Sequence, residues 1–260
     1  MDNFQYKKSL GQNFIKDDNI IDKIAKNSGV DKDTLVIEIG PGAGSLSKSI
    51  VPLSGHAILY EIDVRLKDVL GNVLAGNDNY EIIFGDFLNQ DLSHIRSTYN
   101  YKKLYVVANL PYYITTPIIT KLVNELYPDR IIVMVQEEVA VRLSSGFGSR
   151  DYGFISVFLG SRYNIKKLFN VSRNCFVPAP RVDSAVISMD KDDKLGNVNV
   201  EVFVRLIKDA FQYKRKNLKN NLKGYDFDKI ASILGKYNYS LTNRAEDIPT
   251  EIFVEIAKNM

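Results

Sequence analysis

The sequence predicts an α/β chain: a parallel, doubly wound sheet over most of its length, then a small all-helical domain. Three observations carry that expectation. Short apolar runs rich in β-branched residues alternate with helical stretches, the texture of a parallel sheet. After Met189 the polar stretch DKDDKLGNVN reads as a linker, and from Val200 onward the patterns are helical with no convincing strand. A chain of 260 residues, 45% of them hydrophobic, has ample material for a packed core. The expected division is residues 1–189 for the larger, catalytic domain and 190–260 for the helical one.

The elements follow in order. TLVIEIG (34–40) is an apolar strand, followed by a glycine-rich turn and a helix from Ser45. HAILYEID (56–63) is a second strand, with a helix from Val64 to about Leu74. YEIIFGDF (80–87) is a third strand, and KLYVVANL (103–110) a fourth with a helix over Pro117–Leu126. RIIVMVQE (130–137) is a fifth. RYNIKKLFNV and VDSAVISMD read as two further strands, expected to close the sheet as an antiparallel pair.

Composition narrows the function classes. No apolar run reaches transmembrane length, and MDNFQYKKSLGQNF lacks the apolar segment of a secretory signal. The only cysteine is Cys175, which excludes a disulfide framework and a thiolate zinc site, and the only histidines are His56 and His94, a poor basis for a metal centre. A reduced, cytoplasmic protein without a resident metal or a membrane partner is the expectation. The net charge of +3 permits a nucleic-acid partner without demanding one.

The first strand ends in EIGPGAGSL, with Gly40, Gly42 and Gly44 at every second residue. Glycines there allow tight turning and close backbone approach to a ligand. No Gly-Lys-Ser/Thr follows, so this is not a P-loop. The second strand ends in Glu61 and Asp63, where a carboxylate accepts hydrogen bonds from ribose hydroxyls, a placement that fits NAD and S-adenosylmethionine equally. The third ends in Gly85-Asp86-Phe87, where a second carboxylate can accept from an adenine amino group. A lone strand-end acid is usually a solvated residue or a helix cap. Two at successive strand ends, beside a glycine turn, point to a nucleoside-containing cofactor.

The fourth strand runs into NLPYYITT (109–116), poor material for extending a strand, because proline lacks a ladder donor and Asn and Pro form turns. The segment suits a purine amino group acting as nucleophile. That nitrogen's lone pair is delocalised into the ring. Two acceptors gripping its hydrogens, the Asn109 side-chain oxygen and the Leu110 carbonyl held by the Leu110–Pro111 bend, would favour a pyramidal nitrogen. Tyr112 offers a face for base stacking, worth about 1–3 kcal/mol at comparable sites. Catalysis of methyl transfer from a sulfonium is then a matter of positioning and electrostatics, once the adenine has left its stack.

These motifs carry a resemblance. Asn-Leu-Pro-Tyr after a strand, with Glu-Ile-Gly-Pro-Gly upstream, resembles the adenine amino-methyltransferases. SLGQNFI (9–15), VIEIGPGAGSLS, GDFL, NLPYYITTPI, QEEVAVRL, YGFIS, FVPAPRVDSAV (176–186) and AFQYKRKNLKNNL (210–222) together are similar to the small-subunit (16S) ribosomal RNA adenine dimethyltransferases over nearly the full length. The resemblance implies a Rossmann-like methyltransferase fold with a small C-terminal helical domain, S-adenosylmethionine as methyl donor, and dimethylation of two adjacent adenines in the 3′-terminal hairpin loop. It implies cofactor contacts from Asn13, Ile15, Gly40, Glu61, Asp86 and Asn109. Asn109, Leu110, Pro111 and Tyr112 would hold the adenine, with Phe176 as the second aromatic of a base sandwich. The partner implied is small-subunit RNA in an assembling subunit, bound by a monomer. The family commonly has Asn where Tyr113 stands, and the plain expectation for this tyrosine is core packing.

Three rival readings remain at this level. One is a large-subunit adenine methylase of the macrolide-resistance type, disfavoured by NLPY with TTPI. Another is a methyltransferase-like RNA-binding module without catalysis, disfavoured by the intact Asn109, Tyr112 and acids. The third is a dehydrogenase, which leaves NLPY unexplained. Residues 205–223 read as one helix, with Lys208, Gln212, Arg215, Lys219 and Lys223 on an outward stripe for RNA phosphates. Leu206, Ala210, Phe211, Leu218 and Leu222 form an inward one.

Overall fold

The structure is a computed structural model, and it describes residues 13–260; residues 9–12 of the SLGQNFI motif lie outside them. By internal contacts the chain divides into two compact units. The first runs to Ala140 and adds Lys167–Met189; the second comprises Val141–Lys166 and Asp190–Met260.

The first unit carries the sheet. After the short strand β1 (Phe14–Ile15), α1 (Asp18–Ser28) is opened by the Asp17 carboxylate, which accepts from the Asn19 N–H, and closed by left-handed Gly29. Then β2 (Thr34–Ile39), α2 (Ser45–Ile50), β3 (His56–Glu61), α3 (Lys67–Val73), β4 (Tyr80–Phe84), α4 (Ile95–Thr98), β5 (Lys103–Asn109), α5 (Thr115–Lys121) and β6 (Arg130–Gln136) alternate. The pairs β3–β4, β2–β3, β2–β5 and β5–β6 are all parallel. Every residue of β2 is buried, as a central parallel strand covered on both faces requires.

Further along the chain come α6 (Glu137–Ser144), α7 (Phe154–Gly160), β7 (Tyr163–Val171), β8 (Phe176–Val177) and β9 (Ser184–Lys191). The sheet order is β4-β3-β2-β5-β6-β9-β7, with β1 and β8 forming a separate antiparallel pair. The order reverses at β2, which has β3 on one side and β5 on the other. Open α/β sheets bind ligands outside the carboxyl ends of strands at such a switch point. Gly40 follows β2 and Asn109 ends β5, so the two principal motifs meet there.

The strands fall within a residue or two of their predicted spans. The helices differ more. The helix expected over Val64–Leu74 begins as a 3-10 turn, Val64–Leu66, held by the Asp63 carboxylate accepting from the Arg65 N–H at 3.2 Å. The one expected over Pro117–Leu126 starts at Thr115 and ends in a wide π turn, Leu122–Leu126.

The second unit is helical around α7, α8 (Val200–Ala210), α9 (Leu218–Asn221), α10 (Phe227–Gly235) and α11 (Thr250–Lys258). Its core holds Phe203, Leu206, Ile207, Phe253 and Ile256, and the Tyr152, Phe211 and Phe253 rings pack edge to edge or tilted with centroids 5.8–5.9 Å apart. One boundary between the two units falls at Met189/Asp190. The inclusion of Val141–Lys166 is a correction. FISVFLG forms a helix with Ser156, Val157, Phe158 and Leu159 buried, and its sequence neighbour Tyr152 hydrogen-bonds Thr250 at 2.9 Å. A second correction concerns residues 205–223. Helix α8 ends at Ala210, and α9 begins only at Leu218 under an Asn217 cap that accepts from the Asn220 N–H. The expected inward residues Leu206, Ala210, Leu218 and Leu222 are all buried. Burial survives the break because the turn at 211–217 returns the chain to the same core. Among the described residues no helix is long and apolar enough to cross a membrane.

Candidate active site

The crevice at the switch point is lined by Asn13 with Phe14 and Ile15 of β1, Glu38 in β2, the turn Gly40-Pro41-Gly42, Ser45 and Leu46 opening α2, Glu61 closing β3 with Ile62 after it, and Asn109 closing β5 with Leu110–Tyr112 after it. The glycine turn is what lets the N-terminal segment approach. Gly42 has φ +59°, and a Cβ there would sit 2.4 Å from the Phe14 ring, so a side chain would be both strained and obstructed.

Glu61 organises this turn. It is 4% exposed; its Oε2 accepts from the Gly42 N–H at 2.9 Å and its Oε1 from the Asp63 N–H at 2.8 Å. Burial raises its pKa, opposed by these two backbone donors. Each carboxylate oxygen keeps a second lone pair, so ribose hydroxyls can still be accepted. Asp63, two residues on, is clasped by Arg65 at 2.6–2.8 Å.

At the other wall, the Asn109 Nδ2 donates to the Asn13 carbonyl at 3.1 Å. Its amide oxygen is thereby the end left to accept from a substrate. Leu110 is buried and its N–H donates to the Met134 carbonyl at 3.1 Å. Pro111 sits at φ −59°, and its carbonyl accepts from the Thr115 hydroxyl. The segment is thus fixed on both sides of the Leu110–Pro111 bend. Tyr112 is half-buried, with its hydroxyl 2.5 Å from that of the buried Ser184, and burial raises its pKa.

Of the residues expected to hold a cofactor, Asn13, Ile15, Gly40, Glu61 and Asn109 line one crevice, whereas Asp86 is not among its lining residues. Its carboxylate caps the 3-10 turn Phe87–Asn89, accepting from the Leu88 N–H at 2.9 Å. Phe176 departs further. It is 1% exposed and packed in the core with Ile15 and Val186. Its partner in the antiparallel β1–β8 ladder is Ile15. Tyr113, expected in the core, is 58% exposed; it is the middle residue of the 3-10 turn Tyr112–Ile114, none of whose residues is buried. Lys208, Arg215, Lys219 and Lys223 are all exposed, on α8, in the turn after it, on α9 and just past its end, rather than along one continuous helix.

One lining residue escaped the sequence reading. Glu38 lies two residues before the glycine turn and is 2% exposed; its Oε2 has no hydrogen-bond partner. Burial, reinforced by the nearby Glu61 charge, pushes its pKa up to about 8, although Ser47 beside it pulls downward. A charged residue inside an otherwise apolar strand was the available signal.

The lining holds two buried carboxylates and, among the described residues, no lysine, arginine or histidine. The Gly42 N–H that a pyrophosphate would need is already given to Glu61. Such a crevice repels a dinucleotide's phosphates and suits a nucleoside that carries positive charge, which separates the two cofactors left open by the sequence. Fold and site together define a Rossmann-like, S-adenosylmethionine-dependent methyltransferase with Asn-Leu-Pro-Tyr lining its crevice.

Comparisons with known proteins agree. The family model described as ribosomal RNA adenine dimethylase matches residues 3–259. A protein of Oceanobacillus iheyensis named ribosomal RNA small subunit methyltransferase A is 36% identical over 98% of this chain and 90% of its own length. The protein of the same name from Staphylococcus haemolyticus is 41% identical over 85% of this chain and 77% of its own. Among solved structures, a dimethyladenosine transferase from Plasmodium falciparum superposes with a TM-score of 0.81 at 23% identity, covering 95% of this chain and 96% of that one. A 23S rRNA methyltransferase reaches 0.77, also at 23%, over 94% and 98%; at that identity both show the shared fold alone. The chain belongs to the ribosomal RNA adenine dimethylase family.

Proposed function

We propose that this enzyme transfers methyl groups from S-adenosylmethionine to the 6-amino groups of two adjacent adenines in the 3′-terminal hairpin loop of small-subunit (16S) ribosomal RNA, giving dimethyladenines. The observation that carries the reading is the meeting, in one crevice, of the Gly40–Gly42 turn with its Glu61 carboxylate and the Asn109–Tyr112 acceptor segment. The name shared by its relatives supports the small subunit over the large.

The cofactor supplies an electrophilic methyl on a sulfonium. Glu61 accepts the ribose hydroxyls, while Asn13, Ile15 and Gly40 shape the nucleoside's bed. Asn109 Oδ1 and the Leu110 carbonyl accept the two amino hydrogens, and the Tyr112 ring stacks on the base. The amino lone pair forms the N–C bond as the methyl's C–S bond breaks, and the proton lost from nitrogen goes to water. Rate enhancement comes from alignment, for which effective molarities are large. After one transfer the nitrogen still carries a hydrogen, and one acceptor suffices to present it again.

The exposed cations Lys208, Arg215, Lys219 and Lys223 of the helical unit supply phosphate contacts to the RNA. The substrate is the RNA of an assembling subunit, met in the cytoplasm by a monomer. The test is transfer of labelled methyl to unmethylated small and large subunits, followed by mapping, with Asn109→Ala as control. Label on two adjacent small-subunit adenines is the expected result. Label confined to large-subunit RNA refutes the reading.

A further inference from the structure

A second groove opens at the same edge of the sheet as the crevice. It measures about 740 Å³ and is lined by Glu137 and Glu138 opening α6, by Arg173 and Asn174 after β7, and by Arg181 and Val182 ahead of β9. That size falls within the roughly 300–1,000 Å³ of small-ligand sites. Sheet order sets it beside the Asn109–Tyr112 segment, because β6 lies next to β5 and β9 next to β6. The ends of β5 and β9 are thus two strand spacings apart, about 10 Å. Two bonds fix the junction. The Glu137 N–H donates to the Asp183 carbonyl at 3.1 Å, and Ser184, the next residue, holds the Tyr112 hydroxyl.

Most charges around the groove are already engaged. Glu137 takes Lys167 at 3.6 Å and the Asn170 amide at 3.0 Å, and the Asp183 Oδ1 accepts from the Arg173 N–H at 2.9 Å. Glu138 and Arg181 are the exceptions. Both are exposed, and neither side chain has an ion-pair or hydrogen-bond partner among the described residues. The first turn of α6 suits an acid, which accounts for Glu138 in part and leaves Arg181 unexplained. Arg181 rides on a stiff segment. Pro178 and Pro180 fix φ ahead of it, and the Arg173 guanidinium donates to its carbonyl at 3.3 Å. The exposed Val182 adds apolar surface. Opposite charges that share a groove and stay apart leave room for a ligand that satisfies both. A nucleotide does so: a cation takes its phosphate, and a carboxylate accepts from an exocyclic amino group of its base.

We propose that this groove is a subsite for the nucleotide adjoining the target adenine, with Arg181 on its phosphate and Glu138 on the amino group of its base. The inference rests on the function proposed above, in which the target's neighbour is itself an adenine. Glu138 and Arg181 are then positioning residues: they hold the strand in register so that the target base meets the Asn109–Tyr112 segment. A dimethylated neighbour has no amino hydrogen left to give, so Glu138 also distinguishes a finished neighbour from an unfinished one.

The test couples changes in the enzyme to changes in the RNA. Small subunits are prepared with guanine replacing each of the two adenines in turn, which puts a carbonyl where the amino group stood. Methyl transfer to the remaining adenine is compared with transfer to that same adenine in natural subunits. In at least one of the two RNAs the wild type is expected to lose about tenfold or more in kcat/KM, whereas Glu138→Ala treats that RNA and the natural one alike. Arg181→Ala is expected to raise KM with kcat kept, and to lower the log–log salt slope of binding by roughly 0.7–0.9. The proposal is overturned if guanine has no effect on wild type, or if its effect is equally large in Glu138→Ala. It is overturned as well if Arg181→Ala leaves both KM and slope unchanged. Both side chains are exposed, and wild-type melting temperature and S-adenosylmethionine affinity show the variants folded. If the wild type transfers no methyl to natural small subunits, it is the proposed function that fails.

Discussion

Replacing Glu61 by alanine tests the turn and the cofactor site at once. The carboxylate holds two backbone donors, the Gly42 N–H at 2.9 Å and the Asp63 N–H at 2.8 Å. Hydrogen bonds to a charged group are worth about 1.5–3 kcal/mol each, and their loss leaves two donors unsatisfied in a buried site. Against this, burial already raises the pKa of Glu61, so its desolvation is costly and removal recovers part of it. The net loss of stability is expected at about 2–4 kcal/mol. The Gly40–Gly42 turn then relaxes, and with the acceptors for the ribose gone, S-adenosylmethionine should bind more than tenfold more weakly, or at least about 1.4 kcal/mol. Thermal unfolding measures the first effect, and calorimetry on protein shown to be folded measures the second. Glu61→Gln separates them, because one amide oxygen can serve one of the two N–H groups while the amide nitrogen opposes the other. Its stability should fall between wild type and Glu61→Ala. An unchanged dissociation constant in folded Glu61→Ala would mean that the carboxylate serves the turn alone.

The other predictions concern separate parts of the molecule. Tyr112→Ala should abolish most RNA-dependent turnover, while Tyr112→Phe keeps the ring but strands the buried Ser184 hydroxyl, costing about 1–3 kcal/mol of stability with turnover largely preserved; a phenylalanine variant as inactive as the alanine one would show that the hydroxyl takes part. Reversing Arg215 and Lys219 to Glu should weaken RNA binding and flatten its log–log salt dependence by roughly 0.7–0.9 per lost contact, with cofactor affinity constant; coincident slopes would move the RNA contacts to another surface. Glu38 binds its proton more tightly in the folded chain than in the unfolded one, where its pKa is 4.5. Its contribution to stability is therefore complete below pH 4.5 and is lost as the pH rises towards about 8. Glu38→Gln should accordingly melt higher than wild type at pH 8 and show less difference at pH 5, and identical melting shifts at both would refute the burial argument.

The strands were legible because a buried parallel strand leaves a short apolar run with no periodic interruption, and TLVIEI is fully buried as such a run demands. Helix α1 was missed although its signals stand in the sequence: Asp17 as cap, Ile21 and Ile24 one turn apart, Gly29 to close it. The 205–223 helix was over-read. Its inward stripe is genuine, yet 100° periodicity cannot reveal that Asn217 opens a new helix by side-chain capping. In the site, spacing put Glu61 and Asn109 beside the crevice because each is the last residue of its strand. It did not reveal how deeply Phe176 is buried, because its strand partner Ile15 lies far away in the sequence. It overlooked Glu38, because an acid inside a strand becomes informative only once both sheet faces are known to be covered.

The crevice wall that holds Asn109 and Tyr112 is tied at one end to Asn13 and at the other to Ser184. That has a consequence in time as well as space. Residues 13 and 109 are made early, but the ring of Tyr112 gains its partner only after Ser184 leaves the ribosome, 75 residues after Asn109. At about 5–20 residues per second that wait lasts roughly 4–15 seconds. Throughout it the nascent chain carries the Asn109–Tyr112 segment with the Tyr112 ring untethered, and on the reading proposed above competence comes only when β9 has been delivered. A chain truncated before β9 should therefore be inert toward RNA however well its earlier strands have folded.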